Sequence, residues 1–314
     1  MENMYLAIGL NYDGRRGKKK KEMKKSGKSK KIGRIFERPI LGMIVAIVLM
    51  YVFEGILGSI ANYIFGINYT GLVAKSQKAM IVSDGAGIVA AILCLLIYWL
   101  HNKRKPKDFF TVRNFGPYLL MGWSIFVVEG ITLIENIVQG QKLGSIALAV
   151  LMGFSPGIKE EVMFRIIPIA IVMKGVDKEK NMWIGFFTSG IIFSLIHILN
   201  IIAGADPVMS LIQAFYAFCV GLVFAAIYLR TGNMWITIFL HSFTDIIAFL
   251  GLEEQQNLGV QVTRVGTWDQ LLLIGFGILY LINAIYIFRK SKRGEALITW
   301  KQKWEQTEEG QLSA

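Results

Sequence analysis

The sequence predicts an all-α polytopic membrane protein, with about eight transmembrane helices around an intramembrane polar cavity. Three observations carry this. The 314 residues are 54% hydrophobic and only 18% charged, with a mean hydropathy of +0.49. Soluble domains run nearer about 45–50% apolar and about 25% charged. Apolar stretches of roughly 20 residues, enough to cross a hydrocarbon core, recur along the chain. The cations fall between these stretches with a strong bias to one side.

Residues 1–39 form a basic tail that holds 13 of the 34 Lys and Arg residues. Such a block beside a hydrophobic body suits anionic lipid at a membrane surface. Nucleic acid is excluded as a partner, because no folded polar domain accompanies the tail. Both the basic stretch and the apolar run after it are too long for a cleavable signal peptide.

The membrane domain covers 40–290. Spans are expected near 41–65, 80–100, 117–138, 143–173, 182–202, 208–229, 234–251 and 270–288. The fourth is unusual. It is too long for one straight span and carries Lys159, Glu160, Glu161 and Arg165. Ser155-Pro156 reads as a helix start, since Ser caps and Pro is tolerated at the first helical position. The glutamates would then sit in the first turns of a helix beginning within the membrane, where the helix dipole favours carboxylates. Residues 291–314 read as a polar tail, loose or partly helical. No internal repeat suggests a solenoid or an inverted-repeat transporter. With both ends on one side, the inner segments hold 28 Lys and Arg against four outside, or 15 against four without the tail. This places both termini in the cytoplasm of a multi-pass cell-membrane protein. Cys94 and Cys219 lie in apolar runs and read as small buried hydrophobes, with no disulfide framework or CxxC zinc pattern.

Ionisable groups at lipid depth are expensive, which makes them informative. His197 and His241 lie inside two separate spans, and a third carries Glu160-Glu161. Adjacent helical residues point about 100° apart, so the two glutamates do different jobs. The i,i+4 spacing pairs Glu161 with Arg165 and leaves Glu160 the freer carboxylate. Phe193 lies one turn before His197, placed to pack on its imidazole or line the pocket. Asp245 lies one turn after His241, placed to accept its ring N–H or to face a substrate carbonyl. Glu54, Asp84, Glu129 and Glu135 also fall in or near spans and are candidates to line the cavity. At 1.5 Å per residue from the expected inner flanks, Glu160 is about 21 Å deep, His197 about 24 Å and His241 about 12 Å. The difference of about 12 Å is within reach of a tilt, a broken helix and side-chain length.

Two chemistries fit this set. Glu160 can act as general base on water, helped by His197, with His241 and Asp245 on the oxyanion side. Alternatively Glu160, His197 and His241 can bind Zn²⁺ with an open position for water. HExxH and GxSxG are both absent.

In this order the runs EEVMFR, FSLIH and HSFTD resemble the EExxxR, FxxxH and HxxxN/D motifs of the CPBP family, the CaaX-protease and bacteriocin-processing intramembrane proteases. Thr231, Gly232, Asn233 and Trp235 also resemble that family's approach to its last histidine. The resemblance covers about 143–250, the expected catalytic core. It implies an eight-helix fold with a conical cavity and hydrolysis of a peptide bond in a membrane-associated protein or peptide. It implies water activation by Glu160 and His197, an oxyanion side of His241 and Asp245, and supporting roles for Glu161 and Arg165. It favours a glutamate mechanism with no required cofactor over Zn²⁺, although the family is traditionally called metalloprotease. Asp245 takes a position often filled by Asn, and only a protonated Asp donates to an oxyanion. The Lys-rich tail and compact membrane body look bacterial, which favours peptide processing or bacteriocin resistance over prenylated CaaX proteins. The competing readings are a non-catalytic immunity or scaffold protein of the same fold and a small transporter.

Overall fold

A computed structural model describes residues 38–67, 77–102, 115–138, 146–175, 177–202, 204–250 and 266–312. The basic tail lies outside these residues except for its last two. Every regular element among them is a helix. They are α1 (Pro39–Phe65), α2 (Gln77–His101), α3 (Phe115–Leu119) and α4 (Trp123–Val138), the last two joined by one 3-10 turn. Next come α5 (Ile146–Glu161), a π-helical turn (Val162–Ile166) and α6 (Ile167–Met173). The chain continues through α7 (Lys178–Ile198), α8 (Pro207–Thr231), α9 (Met234–Leu250), α10 (Thr267–Ile287) and α11 (Lys290–Leu312).

Six helical stretches among the described residues are long and apolar enough to cross a membrane, and α9 is a shorter apolar helix. The remaining expected span, the fourth, is the broken run α5–π–α6, whose charges lower its hydropathy. Large apolar side chains such as Val48, Val52, Leu100, Val138 and Ile285 face outward. A soluble protein would not expose so continuous a hydrocarbon surface. α8 is the central helix: 67% of its most apolar window is buried, against 28–33% for the other five stretches. It packs between α7 and α10.

α5 does not begin at Ser155-Pro156. It begins at Ile146 and carries Pro156 inside, so Glu160 and Glu161 end a helix rather than start one. The positive end of the helix dipole therefore does not lie at the two glutamates. Ser155 does not cap; its Oγ donates to the Asp84 carbonyl at 3.2 Å. The break comes later, at the π turn, and Pro168 follows it. Proline cannot donate to the carbonyl four residues back, which here is Phe164. Ser189 Oγ donates to that oxygen instead, at 2.8 Å. Side chains of neighbouring helices commonly take over carbonyls freed in this way within a membrane.

α5 and α9 meet at glycine. A Cβ on Gly157 would lie 2.9 Å from the Ser242 backbone nitrogen, and one on Gly153 would lie 2.7 Å from that of Ile246. Small residues four apart let two backbones approach closely. This seam lays the end of α5 against the middle of α9.

The C-terminal segment is a docked helix, not a loose tail. Trp300 is fully buried and its Nε1 donates to the Leu229 carbonyl at 2.6 Å, while Lys303 Nζ donates to the Gly232 carbonyl at 2.6 Å. α11 thus covers the α8–α9 turn.

Candidate active site

Glu161 and Arg165 are both fully buried, and Arg165 Nη1 donates to Glu161 Oε1 at 2.9 Å. This is the pair expected from the spacing. The guanidinium lies 3.9 Å from the Phe193 ring centroid, with the rings of Phe224 and Phe164 also close. Arginine suits this setting because its planar cation stacks on aromatic faces and is weakly hydrated.

The same carboxylate oxygen accepts from a second donor. His241 Nδ1 lies 2.8 Å from Glu161 Oε1, which fixes the proton on Nδ1 and the orientation of the ring. Phe224 stacks on that ring at 5.2 Å and 19°, and Phe193 meets it edge-on at 5.7 Å. The second nitrogen, Nε2, points to a gap between Glu160 Oε2 at 3.7 Å and Asp245 Oδ2 at 3.6 Å. Neither distance is a hydrogen bond. Unliganded sites often show such long separations, which tighten around the substrate. The Glu160 and Asp245 side chains are 28% and 24% exposed, while the Asp245 Oδ2 atom that faces Nε2 is buried. The expected Asp245–His241 hydrogen bond is not formed; Glu161 orients the imidazole instead.

Phe193 also packs edge-on against His197 at 5.1 Å. The His197 ring accepts and donates no hydrogen bond among the described residues, and lies within electrostatic reach of Glu160 and His241. One aromatic ring therefore joins the two histidines across a turn of depth. The shallow depth expected for His241 came from taking Arg230–Asn233 as the membrane boundary. That turn is buried beneath α11: Asn233 is fully buried and its Oδ1 caps α9 by accepting from Trp235 N at 3.0 Å. Gly232 closes α8 at φ +61°, a left-handed conformation that favours glycine. α9 thus starts inside the protein.

Beside Glu160, Lys159 Nζ lies 3.5 Å from both Glu54 Oε1 and Asp84 Oδ1. This cluster ties α1, α2 and α5 together, next to a void of about 10 Å³, room for about one water. Glu129 is buried and accepts from Tyr280 Oη at 3.4 Å. The sequence singled out Lys159 without its partners and did not point to Phe224, because the groups they meet stand on distant helices and no local spacing announces them.

Among the described residues no group of three His, Cys, Asp or Glu side chains is arranged to hold a metal ion.

Residues 142–247 match the family model of the Rce1-like type II CAAX prenyl endopeptidases. The match places this segment in the CPBP/CAAX protease family and supports an endopeptidase of that general type. No curated protein and no solved structure shows a significant match.

Proposed function

We propose that this chain, whose 142–247 segment belongs to the CAAX-protease family, is an intramembrane endopeptidase of glutamate type acting on a membrane-associated protein or peptide. One observation supports this most. Glu160 and Asp245 flank Nε2 of a histidine whose other nitrogen is held by a buried Glu161–Arg165 pair.

In this reading Glu160, assisted by His197, takes a proton from water as the water oxygen attacks the scissile carbonyl carbon. The carbonyl oxygen gains the charge and is met by Nε2–H of His241 as the imidazolium, whose Nδ1–H stays on Glu161, and by the O–H of a protonated Asp245. When the C–N bond breaks, the proton on Glu160 passes to the leaving nitrogen. Arg165 and Glu161 touch no reacting atom; they position His241. General base catalysis contributes about 10²–10⁴-fold, and one oxyanion donor about 10²–10³-fold. Both termini lie in the cytoplasm, and the basic tail meets anionic lipid.

The test uses purified protein in liposomes with a library of membrane-protein peptides. Glu160→Gln, His197→Ala and His241→Ala each abolish cleavage, and a strong zinc chelator leaves it unchanged. Chelator inhibition reversed by zinc would replace the glutamate mechanism with a metal one. A cellular phenotype that survives all three substitutions would move the reading to a non-catalytic scaffold.

A further inference from the structure

A large cavity lies away from the Glu–His cluster. It is a half-open crevice of about 850 Å³ between α1, α2 and α6, within the roughly 300–1,000 Å³ usual for ligand sites. Its walls are hydrocarbon, from residues such as Leu49, Phe53, Ile97 and Ile171. Its mouth forms where three helix ends coincide: the start of α1, the end of α2 at His101, and Lys174 just past α6. Three boundaries at one level mark the edge of the apolar layer.

The mouth is cationic. Lys174 lines it, with Nζ donating to Asn102 Oδ1 at 3.2 Å. Arg38 stands exposed immediately before Pro39, which also lines it. Among the described residues no carboxylate lines the cavity. An apolar chamber opening at a charged membrane boundary matches one kind of molecule in both parts: hydrocarbon inside, an anion at the rim.

We propose that this cavity binds an anionic phospholipid, with an acyl chain between α1, α2 and α6 and its phosphate at Lys174 and Arg38. Met50 and Cys94 line both this cavity and the small void that holds Glu54 and Lys159. The chain therefore ends one side-chain layer from the ion cluster beside Glu160. Bound lipid braces the α1–α2 seam that presents Glu54 and Asp84 to Lys159.

The test needs no protease assay, so its outcome is independent of the proposed reaction. Full-length protein in a mild neutral detergent is titrated with phosphatidylglycerol, with phosphatidylcholine of the same chains, or with glycerol phosphate. Retained lipid is counted by native mass spectrometry, and thermal unfolding is followed. Phosphatidylglycerol is retained and raises Tm; the other two do not reproduce this. Lys174→Gln raises the lipid concentration for half-maximal effect about fivefold, as for one cation at an anionic surface. Ile171→Trp, which narrows the chamber between α1, α2 and α6, weakens the effect. The basic tail is common to every protein compared and cancels. Equal responses to the two phospholipids, a response to glycerol phosphate alone, or an unchanged response in Lys174→Gln would overturn the proposal. Lys174 is at the rim, so that arm stands even if Ile171→Trp fails to fold.

Discussion

Arg165 shows how one buried charge organises its neighbours. It neutralises Glu161, and the oxygen it holds also fixes His241. Removing one partner of a buried pair typically costs about 3–5 kcal/mol, because the other charge is stranded. Arg165→Met therefore lowers stability sharply, whereas Arg165→Met combined with Glu161→Gln recovers much of it; thermal unfolding in detergent separates the two. Asp245 makes a different prediction. An amide offers both an acceptor and a donor, so Asp245→Asn keeps cleavage within a few-fold of wild type and Asp245→Ala loses it. Loss in both would show that the carboxyl group itself is required. At this scale the sequence was legible where partners lie one turn apart, as for Glu161 with Arg165 and Phe193 with His197. It was silent where they come from different spans, as for Lys159 with Glu54 and Asp84, and for Phe224 on His241.

The helices themselves could be read from apolar length, and their expected limits agree with the structure to within a few residues. The break in the fourth span could not. Proline usually marks a helix start or a kink, and the Ser before it strengthened that reading. Here α5 runs through Pro156, and the irregular turn falls at Val162–Ile166, where neighbouring side chains receive the spare carbonyls. The glycines beside that proline have their own role. Gly153 and Gly157 set the α5–α9 separation, and with it the reach from Glu161 to His241. A side chain at Gly157 must push α9 away. Misplacement by about 1 Å can cost on the order of 10²-fold in rate. Gly157→Val should therefore lower cleavage at least that far while circular dichroism reports unchanged helix content. Activity near wild type would show that the seam tolerates a wider crossing.

Across the whole molecule, the family segment stops at residue 247, yet the structure places a later helix against its key turn. α11 looked like a tail because it is polar on average. A helix needs only one apolar stripe to dock, and Ala296 and Trp300 supply it. Its charged contacts are secondary. Glu295 is held below the ordinary glutamate range, first by the hydrogen bond from Lys292 and then by Arg230. A carboxylate depressed in this way stabilises fully above its unfolded value, about 4.3, and loses its contribution as pH falls through the lower folded value. Proteolytic release of α11 should thus stay constant from pH 8 to pH 5 and rise only in stronger acid. The pair is half-exposed, so even that rise is modest. Trp300 bears the larger share. Trp300→Ala removes a fully buried side chain, a change that costs about 3–5 kcal/mol in well-packed cores. Trp300→Phe keeps most of the volume and loses chiefly the bond to the Leu229 carbonyl, about 1 kcal/mol. Because α11 covers the Gly232–Asn233 turn from which α9 starts, the loss extends to His241. Trp300→Ala should reduce kcat for peptide cleavage together with Tm, with Trp300→Phe intermediate in both. If Tm falls in that order and kcat does not, α11 serves stability alone, and the turn keeps its shape without its cover.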